Sequence, residues 1–155
     1  MNGTIEIMIG PMRSNKTAEL IRRVAMREEY AHQSVILFKP KDDTKSAHGV
    51  VESRIQLSHR QREAVEFDSA NPWEMFAFIA ERERIIGKPV NCIAVDEGQF
   101  VSELFDCARA LLERGSASPT LLVNGGFERL AGCLHCRPLF AKGHGRSHLS
   151  QAAIP

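Results

Sequence analysis

Two short runs of this chain carry residue types and spacings suited to chemistry. The first is Gly10-Pro11-Met12-Arg13-Ser14-Asn15-Lys16-Thr17. It follows an apolar, β-branched segment and opens a helical one. A glycine, four variable residues, then Gly-Lys-Ser/Thr between a strand and a helix is a phosphate-binding loop. Backbone N–H groups of such a loop converge on phosphate oxygens. The following helix aims its positive end at the same place. Lys16 would reach the outer phosphates, and the Thr17 hydroxyl would serve Mg²⁺. Asn15 stands where the pattern has its second glycine. Asparagine tolerates the left-handed conformation better than most residues with a side chain, but its Cβ and amide crowd the cradle. The plainer alternative is a chance glycine ahead of Lys-Thr at a helix start.

The second run is Val95-Asp96-Glu97-Gly98-Gln99-Phe100, where an apolar strand delivers two carboxylates. In phosphate-loop proteins an Asp at such a strand end helps to hold Mg²⁺. Parallel sheets collect ligands at the carboxyl ends of their strands, so Asp96 would meet the Gly10–Thr17 loop there. Glu97 would take a proton from an attacking hydroxyl. The alternative is a solvated acidic loop, or carboxylates capping the next helix.

These two runs need strands that end at a common edge. Apolar runs without helical period predict strands at Gly3 to Ile9, Ser34 to Phe38, Asn91 to Val95 and Thr120 to Val123, with a short strand within Val50 to Leu57. Helical periodicity covers Thr17 to about His32, with Leu20, Ile21, Val24 and Ala25 on one face. Pro72 to Glu83 and Val101 to Glu113 read as two further helices, and Lys39 to Gly49 as a loop. Strands alternating with helices predict an α/β fold, a phosphate-loop NTPase-like parallel sheet with helices on both faces.

Composition is that of an ordinary soluble domain: 155 residues, 43% hydrophobic, 25% charged, net charge +1. The charge gives no general attraction to nucleic acid or membrane. No apolar run approaches the ~20 residues of a membrane span. The first residues lack the basic start and apolar core of a signal peptide. A cytoplasmic location is the expectation.

With those residues in place, the chain resembles the type II thymidine kinases. GPMRSNKTAELIRRV is similar to that family's phosphate loop and first helix. Asp43-Thr44-Lys45 falls where the family has Asp-x-Arg, and Val50 to His59 is similar to the stretch that follows. VDEGQF resembles its Mg²⁺-binding and catalytic block. The resemblance covers residues 3 to 128 and divides the chain into a kinase-like domain, 1–128, and a basic tail, 129–155. Against that family the chain reads as divergent and shortened at its C-terminus. The resemblance implies transfer of the γ-phosphoryl group of ATP to the 5′-hydroxyl of thymidine. Carried over by position, Gly10, Pro11, Met12, Arg13, Ser14, Asn15 and Lys16 cradle the nucleotide. Thr17 and Asp96 serve Mg²⁺, with Asp43 nearby, and Glu97 is the general base. Met12, Phe100 and Phe127 line the nucleoside pocket, and Arg54 is a candidate on the acceptor side. The family also implies a homo-oligomer, a tetramer. The other reading is a catalytically impaired nucleotide-binding relative that acts as an interaction module; Asn15 and the shortened C-terminus motivate it.

The tail from Arg129 to Pro155 contains no Asp or Glu. Cys133-x-x-Cys136 followed by His144-x-x-x-His148 is a four-ligand set of zinc type, and the family carries a structural zinc with such a Cys pair. An irregular tail with incidental Cys and His is the alternative. Cys92 and Cys107 sit in apolar runs and read as small buried hydrophobes.

Overall fold

The computed structural model describes residues 3–10, 15–42, 48–52, 61–114 and 119–126. In chain order these form β1 (Thr4–Gly10), α1 (Lys16–Glu29), β2 (Val35–Pro40), β3 (Val50–Glu52), β4 (Gln61–Glu63), β5 (Val65–Phe67), α2 (Met75–Ile86), β6 (Cys92–Val95), α3 (Leu104–Glu113) and β7 (Thr120–Gly126). Single 3-10 turns at Pro72–Glu74 and Gly98–Phe100 precede α2 and α3.

Five strands build the main sheet in the order β1-β7-β6-β2-β5, and all four pairings are parallel. A separate antiparallel pair joins β3 to β4. All six residues of β2 and all four of β6 are buried. That is the signature of parallel strands covered on both faces. On one face Leu20, Ile21 and Val24 of α1 pack with Met8, Leu37, Ala94 and Leu122. On the other, Met75 and Ile79 of α2 and Leu104, Cys107 and Leu111 of α3 pack with Phe38, Ile93, Leu121 and Val123. The chain moves across the sheet from β1 to β2 and then back from β5 through β6 to β7. Right-handed crossovers therefore put α1 on the face opposite α2 and α3.

α1 forms where the apolar residues recur at helical spacing, and each fully buried aliphatic side chain contributes about 2 kcal/mol of gross burial. Its polar side is tied to β1: Glu6 accepts from Arg23 at 2.7 Å and from Arg27 at 2.8 Å. α2 ends at Gly87, in left-handed conformation with φ 68°, whose N–H donates to the Glu83 carbonyl at 2.9 Å. This is the usual glycine stop of a helix. Glu83 also accepts from the two terminal guanidinium nitrogens of Arg114, at 3.1 and 2.8 Å, which ties α2 to the end of α3. That guanidinium holds the Glu83 carboxyl below its usual range. Burial pushes the Cys92 and Cys107 thiols up to about 12, as befits two buried hydrophobes.

The structure revises several expected boundaries. β2 continues through Lys39 and Pro40, which the sequence assigns to a loop. Lys39 is 0% exposed, and its ammonium donates to the Val50 carbonyl at 3.1 Å. A partner inside the fold is what makes burying that charge tolerable. α1 ends at Glu29 rather than His32, and α3 begins at Leu104 rather than Val101. β7 runs to Gly126, because Asn124, Gly125 and Gly126 pair with Met8, Ile9 and Gly10. β4 and β5 are additions, and β5 pairs with β2 as a fifth strand of the main sheet. No helix among the described residues is long and apolar enough to cross a membrane.

Candidate active site at the carboxyl edge of the sheet

Because β1, β7, β6 and β2 are parallel, their carboxyl ends lie along one edge. Gly10 is level with Gly126, and Phe38 with Val95. β1 stops at Gly10 and α1 starts at Lys16, the strand-then-helix order expected on either side of a phosphate loop. Asn15, exposed at the helix cap, has φ 61° and ψ 20°. It adopts the left-handed conformation that the loop's missing glycine would adopt freely. Its carbonyl accepts the Glu19 N–H at 3.0 Å, the first turn of α1. The Lys16 ammonium folds back to the Gly10 carbonyl at 2.9 Å.

Asp96 follows β6 directly, and its backbone N–H donates to the Phe38 carbonyl at 2.9 Å. Asp96 is 2% exposed, and its carboxylate meets Thr17 of α1. The Thr17 hydroxyl donates to Asp96 Oδ1 at 3.4 Å, a long contact. The two oxygens are of the hard type that Mg²⁺ selects. They stand 3.4 Å apart, against about 3.0 Å for adjacent ligands of an octahedral Mg²⁺. A hydroxyl and a carboxylate oxygen are ligand types that such an ion takes.

Glu97 is half-buried and left-handed, with φ 52° and ψ 44°. A non-glycine residue held there stores strain of about 1 kcal/mol or more. Contacts with described residues hold it. Its N–H donates to Asn124 Oδ1 at 2.8 Å. Its carboxylate accepts from the Gln99 amide. Its carbonyl accepts the Phe100 N–H at 3.1 Å. The other end of the Gln99 amide accepts the Gly126 N–H at 3.2 Å. Gly98 packs directly on β7: a Cβ there would stand 2.5 Å from Val123 Cγ1. Phe100 is 39% exposed at the same edge.

The fold brings Lys16, next to Asn15, onto Gly10 and Thr17 onto Asp96, with Glu97 following Asp96 in the chain. Pro11, Met12, Arg13, Ser14, Asp43, Arg54 and Phe127 lie outside the described residues, as do Cys133, Cys136, His144 and His148. Among the described residues no group of three or more His, Cys, Asp or Glu side chains is placed to hold a metal ion. Gln99 and Asn124 are the residues whose place in the site was not foreseen. The faint signal for Asn124 was an asparagine directly after an apolar strand, 1% exposed in the structure. For Gln99 it was an amide two residues beyond Glu97.

Comparison with known proteins bears on the family. The thymidine kinase family model matches residues 3–129. The chain is similar to the thymidine kinase of Ureaplasma parvum serovar 3, with 38% identity over 114 residues that cover 73% of this chain and 47% of that protein. It is similar to the thymidine kinase of Streptococcus pyogenes serotype M1, with 36% identity over 106 residues that cover 67% and 51%. The chain spans about half the length of the curated relatives it matches. A match that runs from the first strand past the last, over a sheet edge where Thr17 meets Asp96, shows that this chain belongs to the thymidine kinase family.

Proposed function

We propose that the chain is an ATP-dependent thymidine kinase, forming dTMP in nucleotide salvage for DNA synthesis. The observation that carries the reading is the approach of Thr17 to Asp96, 79 residues apart in sequence, at 3.4 Å. It brings the loop–helix element and the acidic strand end to one point, with Glu97 next to it. Lys16 would leave the Gly10 carbonyl and neutralise charge on the β and γ phosphates. Thr17 and Asp96 would hold Mg²⁺, which supplies charge neutralisation between those phosphates. Glu97 would accept the proton of the thymidine 5′-hydroxyl as its oxygen bonds to the γ phosphorus. The bond from that phosphorus to the bridging β–γ oxygen then breaks, and ADP leaves. Phe100 offers an exposed aromatic face suited to a planar base. Met12, Phe127 and Arg54 complete the acceptor side in this proposal, and the homo-oligomer and the zinc at Cys133, Cys136, His144 and His148 belong to it as well. The test is formation of dTMP from Mg-ATP and thymidine, wild type beside Glu97→Gln. Turnover that falls at least a hundredfold in the variant supports the assignment; equal turnover removes Glu97 from it.

A second reading rests on Asn15. Its side chain and left-handed backbone occupy the position of a glycine, which suits a relative that binds nucleotide weakly and serves as an interaction module. Calorimetry of Mg-ATP with wild type and Asn15→Gly separates the two. Binding by both favours the kinase, and binding by the glycine variant alone favours the module.

A further inference from the structure

The side chain of Gln99 has a single orientation open to it. The Gly126 N–H only donates, so it must meet the amide oxygen; it does, at 3.2 Å. An ionised carboxylate only accepts, so Glu97 must meet the amide nitrogen, and it does. The two partners together settle which end of the amide points where. On the backbone side, Glu97 is fixed by Asn124 Oδ1 at 2.8 Å. The same segment is pressed on β7 through Gly98 and Val123. Gln99 and Asn124 thus join both halves of Glu97 to the last residues of β7.

We infer that Gln99 is a positioning residue for the reaction: by donating to the Glu97 carboxylate while anchored on Gly126, it aims the proton acceptor at the phosphoryl-transfer site. The inference rests on the kinase reading given above. The anchor matters because Glu97 follows a strand end in a strained backbone conformation, and its side chain has three rotatable bonds. Without the donor, the carboxylate loses a charge-assisted hydrogen bond and gains rotamers in which it faces away from the acceptor hydroxyl. An error of about 1 Å at such a group costs on the order of a hundredfold in rate. Nucleotide binding, which belongs to the Gly10–Thr17 loop, is left intact. Gln99 also makes the geometry of the base depend on Gly126, the residue directly before Phe127.

The experiment pairs kinetics with an activity-independent cycle. Gln99→Leu is expected to lower kcat between ~10- and ~100-fold with KM for Mg-ATP within about twofold. Gln99→Glu keeps the acceptor for Gly126 but replaces the donor by a second carboxylate, so its kcat should fall at least as far as in Gln99→Leu, with KM for Mg-ATP again within about twofold. A purely structural role moves kcat and KM together. An unchanged kcat in either variant overturns the inference. Independently, urea midpoints of Gln99→Ala, Glu97→Ala and the double variant should be non-additive, the double falling by less than the sum. Additive midpoints show that the two side chains do not hold each other and overturn the inference whatever the kinetics. Full turnover in Glu97→Gln instead removes Glu97 as the proton acceptor, and no dTMP from the wild type sinks the kinase reading; in both cases the cycle still reports on the contact.

Discussion

Gly98→Ala is the most direct probe of how the acidic strand end is seated. Gly98 needs no left-handed backbone, so the substitution acts through space alone. The added Cβ would lie 2.5 Å from Val123 Cγ1, 3.3 Å from the Asn124 carbonyl oxygen and 3.5 Å from Leu104 Cδ2. Carbon atoms rest at about 3.5–4.0 Å, so roughly 1 Å must be made up against Val123. Val123 is 1% exposed, and its β-branched side chain has few rotamers to escape into. The Asn124 carbonyl belongs to the backbone of β7, which is paired along its length with β1. Overpacking at such a site costs about 1–3 kcal/mol. For a chain of this size that lowers the thermal midpoint by roughly 2–12 °C. Val123→Ala removes the clashing atom and costs about 1–2 kcal/mol by itself as a buried truncation. In the double variant the new methyl occupies part of the space vacated. Thermal and urea unfolding of the four proteins should therefore show the double variant more stable than the sum of the singles predicts, by on the order of 1 kcal/mol. A neutral Gly98→Ala, or strict additivity with Val123→Ala, would falsify the seating described for this turn.

The remaining predictions concern the helix that follows the phosphate loop. Asn15→Ala should destabilise by about 1 kcal/mol, because alanine has no compensating side chain in the left-handed region. Asn15→Gly should stay near wild type, since relief of strain is offset by ~0.4–1 kcal/mol of extra chain entropy in the unfolded state. Equal thermal midpoints for alanine and wild type would contradict the φ of 61°. Glu19 accepts from Arg22 at 2.8 and 2.7 Å and from Arg23 at 2.8 Å. The Arg22 hydrogen bond, aided by Arg23, lowers its carboxyl from the ordinary 4.5 to about 2. A folded-state value below the unfolded one means that the ion pairs stabilise the protein above pH 4.5 and are lost as pH falls toward 2. The urea midpoint of Glu19→Ala should thus lie furthest below wild type above pH 4.5 and converge on it near pH 2. A gap that does not close would place the stabilisation elsewhere.

Much of the framework was legible before the structure. β2 and β6 announce themselves because a parallel strand buried on both faces is apolar along its run, β1 because its apolar residues lack a helical period, and α1 because a surface helix is apolar at a 3.6-residue period. The assignment of Cys92 and Cys107 to the core follows from the same pattern. Lys39 misleads because a lysine signals solvent until a buried carbonyl is found for it, here that of Val50. Gln61–Glu63 and Val65–Phe67 are three-residue strands, too short for any period to register. Asn124-Gly125-Gly126 has the composition of a turn yet extends β7, because β1 provides it with a continuous row of partners.

The sequence by itself determined the chemical inventory: a loop with Lys16-Thr17 at a helix start, carboxylates at Asp96 and Glu97, and strands that had to be parallel and buried. These are local properties, written in residue types and spacing over a few turns of chain. Only the tertiary structure decided that β7 lies between β1 and β6, that Thr17 reaches Asp96 across 79 residues, and that Glu97 is held by Gln99 and Asn124. Strand order and side-chain amide partners arise from long-range pairing, and local periodicity carries no record of which distant strand will supply the partner.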